Sequence, residues 1–75
     1  MKLIHVINNV TVIKIDQGYD QYVDFKYSKE EEIPNCYNPK SLQIHYCYKD
    51  IKVGDVGKLK YYFSLNWGVW VFEKG

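Results

Sequence analysis

The sequence predicts an all-β fold, in which about six short antiparallel strands form a meander that is either a curved sheet or a small open barrel. Three observations predict it. Aromatic residues make up 17% of the chain, with eight Tyr, and they favour strands. Several segments alternate apolar and polar residues. Gly, Asn and Pro separate these segments at short intervals. With 75 residues, the chain is predicted to be one domain over residues 1–75.

The first three strands are predicted to be joined by tight turns. Lys2–Ile7 and Val10–Ile15 form a hairpin around Asn8-Asn9, because Asn tolerates the positive φ of a type I′ turn. Asp16-Gln17-Gly18 places Gly at the left-handed position of a three-residue loop. The third strand, Tyr19–Tyr27, then alternates a core face with a solvent face.

A short helical turn is predicted after the third strand. Ser28 and Glu31 have the spacing of a capping box, in which each side chain satisfies a free backbone amide. Pro34 ends the turn, and an irregular segment follows up to Ser41. The alternation of Leu42–Tyr48 predicts a fourth strand.

The carboxy-terminal part is predicted to hold the last two strands. Residues 51–57, Ile-Lys-Val-Gly-Asp-Val-Gly, resemble the turn before a strand in SH3-like small barrels, which implies a fold of SH3-like or OB-like size. The next strand is Lys58–Leu65. Asn66-Trp67-Gly68 is a second three-residue loop with Gly last, and Val69–Glu73 completes the sheet.

The two opening strands are apolar on both faces. In the predicted register, one face holds Leu3, His5, Ile7, Val10 and Val12, and the other holds Ile4, Val6, Ile13 and Ile15. A single-layer sheet buries only one of these faces. Three arrangements cover the other: barrel closure or packing of the Ser28–Ser41 segment, contact with another protein or a second copy, or an apolar ligand.

Composition and charge exclude several classes of protein. A hydrophobic fraction of 47% excludes intrinsic disorder, and a net charge of +1 gives no strong attraction for a polyanion. No signal peptide and no apolar run of about 20 residues is found, so we expect a cytoplasmic protein without a membrane partner. The absence of Ala and Arg is typical of AT-rich bacterial or phage genes. Cys36 and Cys47 are expected to be reduced.

Catalytic and metal-binding patterns are weak. On a strand, His45 and Cys47 lie about 7 Å apart, too far to share a proton. Together with His5 and Cys36 they offer the ligand types of a zinc site, but the close ligand pairs usual in such sites are missing. We therefore expect no enzyme activity, no metal and no cofactor.

The function expected from the sequence is that of a non-enzymatic interaction module, such as an accessory or inhibitor protein that occludes a partner's surface. Large aromatics dominate interface energetics. The expected contact residues are Trp67, Trp70, Tyr22, Tyr62, Ile4 and Val6. The edge of Lys2–Ile7 is a further candidate, since a free strand pairs with another chain.

Single-stranded nucleic-acid binding is the alternative function. Small β-barrels stack bases on aromatics beside cationic grooves, and Tyr22 and Tyr62 would supply the rings. The expected cations are Lys26, Lys58 and Lys60. The near-neutral charge and the lack of Arg count against this alternative.

Overall fold

The computed structural model describes residues 1–48 and 50–75. It confirms an all-β, antiparallel fold. Five strands form one open sheet in the order β3-β2-β1-β4-β5. The strands are β1 (Lys2–Ile15), β2 (Tyr22–Lys26), β3 (Ser41–Gln43), β4 (Val56–Ser64) and β5 (Trp67–Lys74), with short 3₁₀ helices at Lys29–Glu31 and Ile44–Tyr46. The sequence predicted six strands and a curved sheet or small open barrel, whereas the structure has five strands in an open sheet. One parallel bridge, Cys47 to Phe72, links the segment after β3 to β5.

The predicted hairpin at Asn8-Asn9 is wrong, because residues 2–15 form one continuous strand. β1 is the central strand of the sheet. Its residues 2–11 pair with β4, and its residues 11–15 pair with β2. An isolated two-stranded hairpin is marginal in water, whereas these long-range pairs build a multi-stranded sheet with a buried face.

A β-bulge takes the place of the predicted turn. The register with β4 shifts between Ile7 and Val10, and Asn9 has φ 54°. Asn9 therefore has the positive φ that Asn tolerates, but it lies inside a strand and not in a turn. The bulge puts Ile7 and Val10 on the same face, and both are fully buried with Val12. The predicted grouping of these three residues is thus confirmed for a different physical reason.

One face of the sheet, here called the inner face, carries the core. The buried cluster consists of Ile7, Val10, Val12, Val23, Phe25, Leu59, Trp70 and Phe72. The segments between β2 and β4 cover this face with partly buried side chains such as Ile33, Leu42 and Ile44. Packing by this part of the chain therefore covers the inner face, whereas the first sequence-based arrangement placed it over the second apolar face, where Ile4 and Ile13 remain exposed.

The covering segment after β2 is held by specific polar contacts. Ser28 caps the first 3₁₀ helix by accepting from the Glu30 amide at 3.2 Å. The Asn38 side chain accepts from the Ile33 amide at 2.9 Å and donates to the Ile33 carbonyl at 3.0 Å. The Tyr27 hydroxyl donates to the carbonyl of buried Pro39 at 2.9 Å. One predicted helical turn and an irregular segment are therefore found.

Two strand predictions are too long. The third strand is shortened to β2, because residues 16–21 form a loop closed by the Asp16 amide, which donates to the Tyr22 carbonyl at 2.8 Å. Gly18 in that loop does not have positive φ. Leu42–Tyr48 holds only the end of β3 before a 3₁₀ helix turns the chain. In both places the apolar-polar alternation of the sequence extends beyond the residues that pair with a neighbouring strand.

The turn before β4 agrees with the sequence prediction. Gly54 has φ 97°, the value that the third residue of a type II turn requires. The Asp55 amide donates to the Lys52 carbonyl at 3.0 Å, and the Asp55 carboxylate accepts from the Lys52 amide at 2.7 Å. The chain therefore reverses here and enters β4.

The turn between β4 and β5 differs from the prediction. Ser64 pairs with Trp67, so the loop is only Leu65-Asn66, and Leu65 takes the positive φ of 51°. Gly68 lies inside β5, where the Tyr61 ring occupies the space that a Cβ would fill. Gly68 is thus needed for a close approach and not for a turn.

Candidate partner-binding surface

The outer face of the sheet is the side opposite the core. Residues directly paired across antiparallel strands lie on the same face. Leu3, Tyr62 and Val69 form one outer row across β1, β4 and β5, and Val6, Lys60 and Val71 form the next. Apolar residues from three strands therefore meet on the face that the core does not use.

The chain's own side chains protect part of the outer face. Val71 is only 8% exposed although it lies outside the core cluster. Lys60 stands between Val6 and Val71, and its ammonium donates to Glu73 Oε2 at 3.1 Å. The hydrogen bond to Glu73 raises the pKa of Lys60. The aliphatic stem of Lys60 thus lies along apolar surface while its charge is paired.

A much more exposed apolar region lies at the end of the β1-β4-β5 ladder nearest the β4-β5 turn. Thirteen large hydrophobic residues are exposed in the described chain, and six of them lie here. We call this region the apolar end; it consists of Met1, Leu3, Ile4, Phe63, Leu65 and Trp67. Such clustering, unlike scattered exposed hydrophobics, marks interaction surfaces.

The side chains of the apolar end and its ladder rows carry little charge. In the two ladder rows nearest the turn, the one charged side chain is Lys2, which pairs with Phe63. The nearest carboxylate on these three strands is Glu73, opposite Lys58 and five residues along β4 from Phe63. At strand spacing, this separation is about 16 Å. The exposed hydrophobic groups here are thus not interspersed with acidic groups.

The open edge of β1 is a weaker candidate for docking. No strand in the described ranges, 1–48 and 50–75, pairs with the second edge of residues 2–10. Bulges interrupt this stretch between Leu3 and His5 and again between Ile7 and Val10. Bulges at sheet edges oppose pairing with another chain. The outer face and the turn are therefore better placed for contact than the edge.

The predicted contact residues fall into three groups. Trp67, Tyr62 and Ile4 lie at or beside the apolar end, with Val6 in the adjacent row. Tyr22 is exposed but lies on β2, beyond β1. Trp70 is 7% exposed on the inner face, where its ring centroid lies 5.0 Å from that of Tyr61.

Sequence reasoning missed four members of the apolar end: Met1, Leu3, Phe63 and Leu65. Leu3 was grouped on one face with Ile7, Val10 and Val12, but a bulge pairs it with Tyr62 on the outer face. Leu65 was predicted to end the strand Lys58–Leu65, yet it lies in the turn and is 95% exposed. Phe63 is exposed although it lies on the inner face. The signal that would have helped is the two-residue Leu65-Asn66 turn, because a leucine there has no strand partner.

The candidate nucleic-acid residues share a face but do not form a free cationic surface. Tyr62, Lys58 and Lys60 lie on the outer side of β4, and Lys26 pairs with the outer residue Thr11. Lys60 is bound to Glu73, which also lies directly opposite Lys58. The carboxylate contact of Lys60 competes with any phosphate for this lysine.

The histidines and cysteines are dispersed. His5 stacks on Tyr61, with 6.2 Å between centroids, whereas His45 lies in the second 3₁₀ helix. Cys36 and Cys47 are free thiols, and burial raises the pKa of Cys47 to about 11. Within residues 1–48 and 50–75, no three His, Cys, Asp or Glu side chains are grouped as a metal ion would require.

Comparisons with family models, with curated proteins and with solved structures gave no match. Neither 3₁₀ helix in the described part of the chain is long or apolar enough to cross a bilayer. The fold and surface together define a small antiparallel-sheet domain with an exposed apolar end.

Proposed function

We propose that this protein is a non-enzymatic interaction module that binds a protein partner through its apolar end. The proposal includes a steric mode of action without a cofactor, in which the bound module occludes its partner's surface. We further propose that the protein is a cytoplasmic accessory or inhibitor protein of bacterial or phage origin. Another protein or a second copy of the chain would serve as the partner.

One observation carries the proposal: six exposed hydrophobic residues lie together at the apolar end of the sheet, while the core occupies the inner face. Full burial of one large apolar side chain contributes about 1.5–3 kcal/mol. Removing several such side chains from water would be comparable with the stability of a small domain, about 5–15 kcal/mol. A protein contact at this end therefore has a substantial driving force.

The test compares two double variants that each replace two exposed apolar side chains by Ser. Leu3→Ser with Trp67→Ser alters the apolar end, and Ile13→Ser with Val53→Ser alters exposed residues elsewhere. Each purified chain is immobilised and exposed to extract from the encoding cell, and sedimentation measures self-association. We expect a specific partner, or a dimer, to be retained by the wild type and the control pair but lost from the apolar-end pair. Equal retention by both pairs would refute the proposal.

Nucleic-acid binding remains the alternative because Tyr62, Lys58 and Lys26 share the outer face. Fluorescence anisotropy with labelled single-stranded oligonucleotides separates the two functions. Affinity that falls steeply with added salt, and with Lys26→Gln and Lys58→Gln, would favour the alternative. We expect no such dependence if the module binds protein.

A further inference from the structure

The two outermost strands of the sheet, β3 and β5, differ in how they are protected against pairing with another chain. Proteins protect edge strands by keeping them short, bulged or charged, or by covering them. β3 has only three residues and follows Pro39 and Lys40. β5 has eight residues, and its register with β4 contains no bulge. From Trp67 to Phe72 it carries no charged residue. The edge of β5 therefore lacks most of these protections.

One contact closes part of this edge. The Tyr48 amide donates to the Phe72 carbonyl at 2.9 Å, and Cys47 forms the parallel bridge to Phe72. Within residues 1–48 and 50–75, no other segment pairs with β5 on the side away from β4. The Phe72 end of the edge is therefore closed, and the stretch Trp67–Val71 remains open.

The contact to Phe72 shows which backbone groups the open stretch offers. In an antiparallel ladder, alternate residues direct their amide and carbonyl groups to the same neighbouring strand. Because the Phe72 carbonyl points away from β4, the amide and carbonyl groups of Trp70 and Gly68 point to the same open edge. Neither residue has a hydrogen-bond partner on that edge among the described residues. Both residues thus offer a donor and an acceptor to an incoming strand.

We propose that β5 pairs antiparallel with β5 of a second copy across a twofold axis at Val69, which joins the two five-stranded sheets into one. In this register Gly68 of each chain lies opposite Trp70 of the other, and their open donors and acceptors satisfy each other. A register centred on Trp70 would instead place Gly68 opposite Phe72. The Phe72 carbonyl is already bound to the Tyr48 amide, so this register is blocked.

The same register matches apolar side chains on the outer face. Trp67, Val69 and Val71 share this face because they alternate along β5. Across the axis, Val69 faces Val69 and Trp67 faces Val71, in the non-hydrogen-bonded positions where side chains approach most closely. Trp67 is 55% exposed in the single chain, and the pairing would cover it with a β-branched side chain. Aromatic and β-branched pairs of this kind stabilise antiparallel strands.

The pattern of the open stretch favours a second copy over a strand of another protein. The stretch is symmetric about Val69, with edge-directed backbone groups at 68 and 70 and apolar outer side chains at 67 and 71. A strand that pairs antiparallel with it must present the matching pattern in reverse, and this pattern is the same in both directions. The chain is therefore its own complement, and the pairing is isologous, as in most homodimers. The inference rests on the proposed function, because it names the second copy as the partner that the proposal left open.

Sedimentation equilibrium of the purified chain tests the pairing, with charge placed at the twofold axis. We expect the wild type to dimerise, and Val69→Lys and Val69→Glu each to raise the dimer dissociation constant at least about tenfold, because like charges then face each other. An equimolar mixture of these two variants should recover a heterodimer, because opposite charges meet. The controls Leu3→Lys and Leu3→Glu, on β1, should show no recovery on mixing. A monomeric wild type, or a dimer insensitive to both charges at position 69, would overturn the inference.

A disulfide test covers the case in which charge at position 69 prevents folding. In a chain with Cys36→Ser and Cys47→Ser, Val69→Cys places two thiols in a non-hydrogen-bonded pair, whose Cα atoms lie about 4.5 Å apart and within disulfide range. Mild oxidation should give a disulfide-linked dimer. Tyr62→Cys, opposite Val69 on β4 and one strand further from the axis, should give little. Equal cross-linking at both positions, or none at position 69, would contradict the register.

The two proposals fail in different ways. If the wild type is monomeric but retains a partner from extract through Leu3 and Trp67, the self-pairing is refuted and the proposed function stands. If the disulfide forms at position 69 while Leu3→Ser with Trp67→Ser changes neither self-association nor retention, the apolar end is not the contact surface and only the self-pairing stands.

Discussion

The two ends of the β1-β4-β5 ladder differ in burial although their sequences are similarly apolar. At one end, which we call the covered end, Ile7, Val10 and Val12 of β1 are fully buried beneath the segments between β2 and β4. Near its amino-terminal end, Leu3 and Ile4 are each 43% exposed. The difference shows that the covering segments, and not the hydrophobicity of the strand, decide which part becomes core. The uncovered end is the surface for which we propose a partner.

The largest expected effect comes from matched substitutions at the two ends. Ile7→Ala should lower the free energy of unfolding by about 2–5 kcal/mol, because it leaves a cavity in the core. Ile4→Ala should change it by less than about 0.5 kcal/mol. Urea denaturation followed by circular dichroism measures both. If Ile7→Ala leaves the chain unfolded, Ile7→Val, expected to cost about 0.5–1.5 kcal/mol, replaces it. Equal losses at positions 4 and 7 would contradict the comparison.

A second prediction concerns close packing at the covered end. A Cβ on Gly57 would overlap the Glu73 carbonyl oxygen and lie 2.9 Å from Phe72 Cζ. Gly57→Ala should therefore lower the free energy of unfolding by about 1–3 kcal/mol. In the control Gly18→Ala, the nearest atom is the flexible Asp16 carboxylate at 3.2 Å, and little change is expected. Thermal melts of both variants measure the contrast. An unchanged melting temperature for Gly57→Ala would contradict the prediction.

The bulge within the covered part of β1, between Ile7 and Val10, gives the third prediction. A β-branched residue is strongly disfavoured at the positive φ of Asn9, so Asn9→Val should cost about 1–2 kcal/mol. Asn9→Gly should stay within about 0.5 kcal/mol of the wild type. Chemical denaturation of the pair tests whether position 9 is left-handed. A well-tolerated valine would argue for a regular strand without the bulge.

The smallest expected effect is a gain of stability at the apolar end. Leu65→Asn should raise the free energy of unfolding by about 0.5–1 kcal/mol, because Asn relieves the strain at positive φ. Leu65→Ala removes the same exposed side chain but keeps the strain, so it should give no gain. Denaturation of the three proteins separates the two causes. A gain from alanine equal to that from asparagine would show that exposure, and not backbone strain, destabilises this turn.

Much of the fold was predictable from local pattern. Alternation correctly placed Val23 and Phe25 in the core with Tyr22 outside, and Gly54 correctly marked the turn before β4. The errors arose where one local signal has two structural solutions. Asn8-Asn9 suits a hairpin turn or a bulge, because both use positive φ, and only the strands on either side distinguish them.

The candidate site was predictable only in part. Of the expected contact residues, Trp67 is 55% exposed and Tyr62 is partly buried on the outer face, but Trp70, three residues beyond Trp67, lies in the core. Composition identifies which residues favour interfaces and does not identify the face of the sheet they occupy. That face depends on register, and each bulge in β1 changes it.

The sequence by itself determined an all-β chain with more apolar strand surface than one face of a single sheet buries. These properties follow from side-chain shape and period-two alternation, which act over a few residues. Only the tertiary structure decided that β1 is central, that the inner face is the covered one and that the apolar end remains exposed. Those outcomes depend on pairings between distant residues, whose register no local pattern specifies.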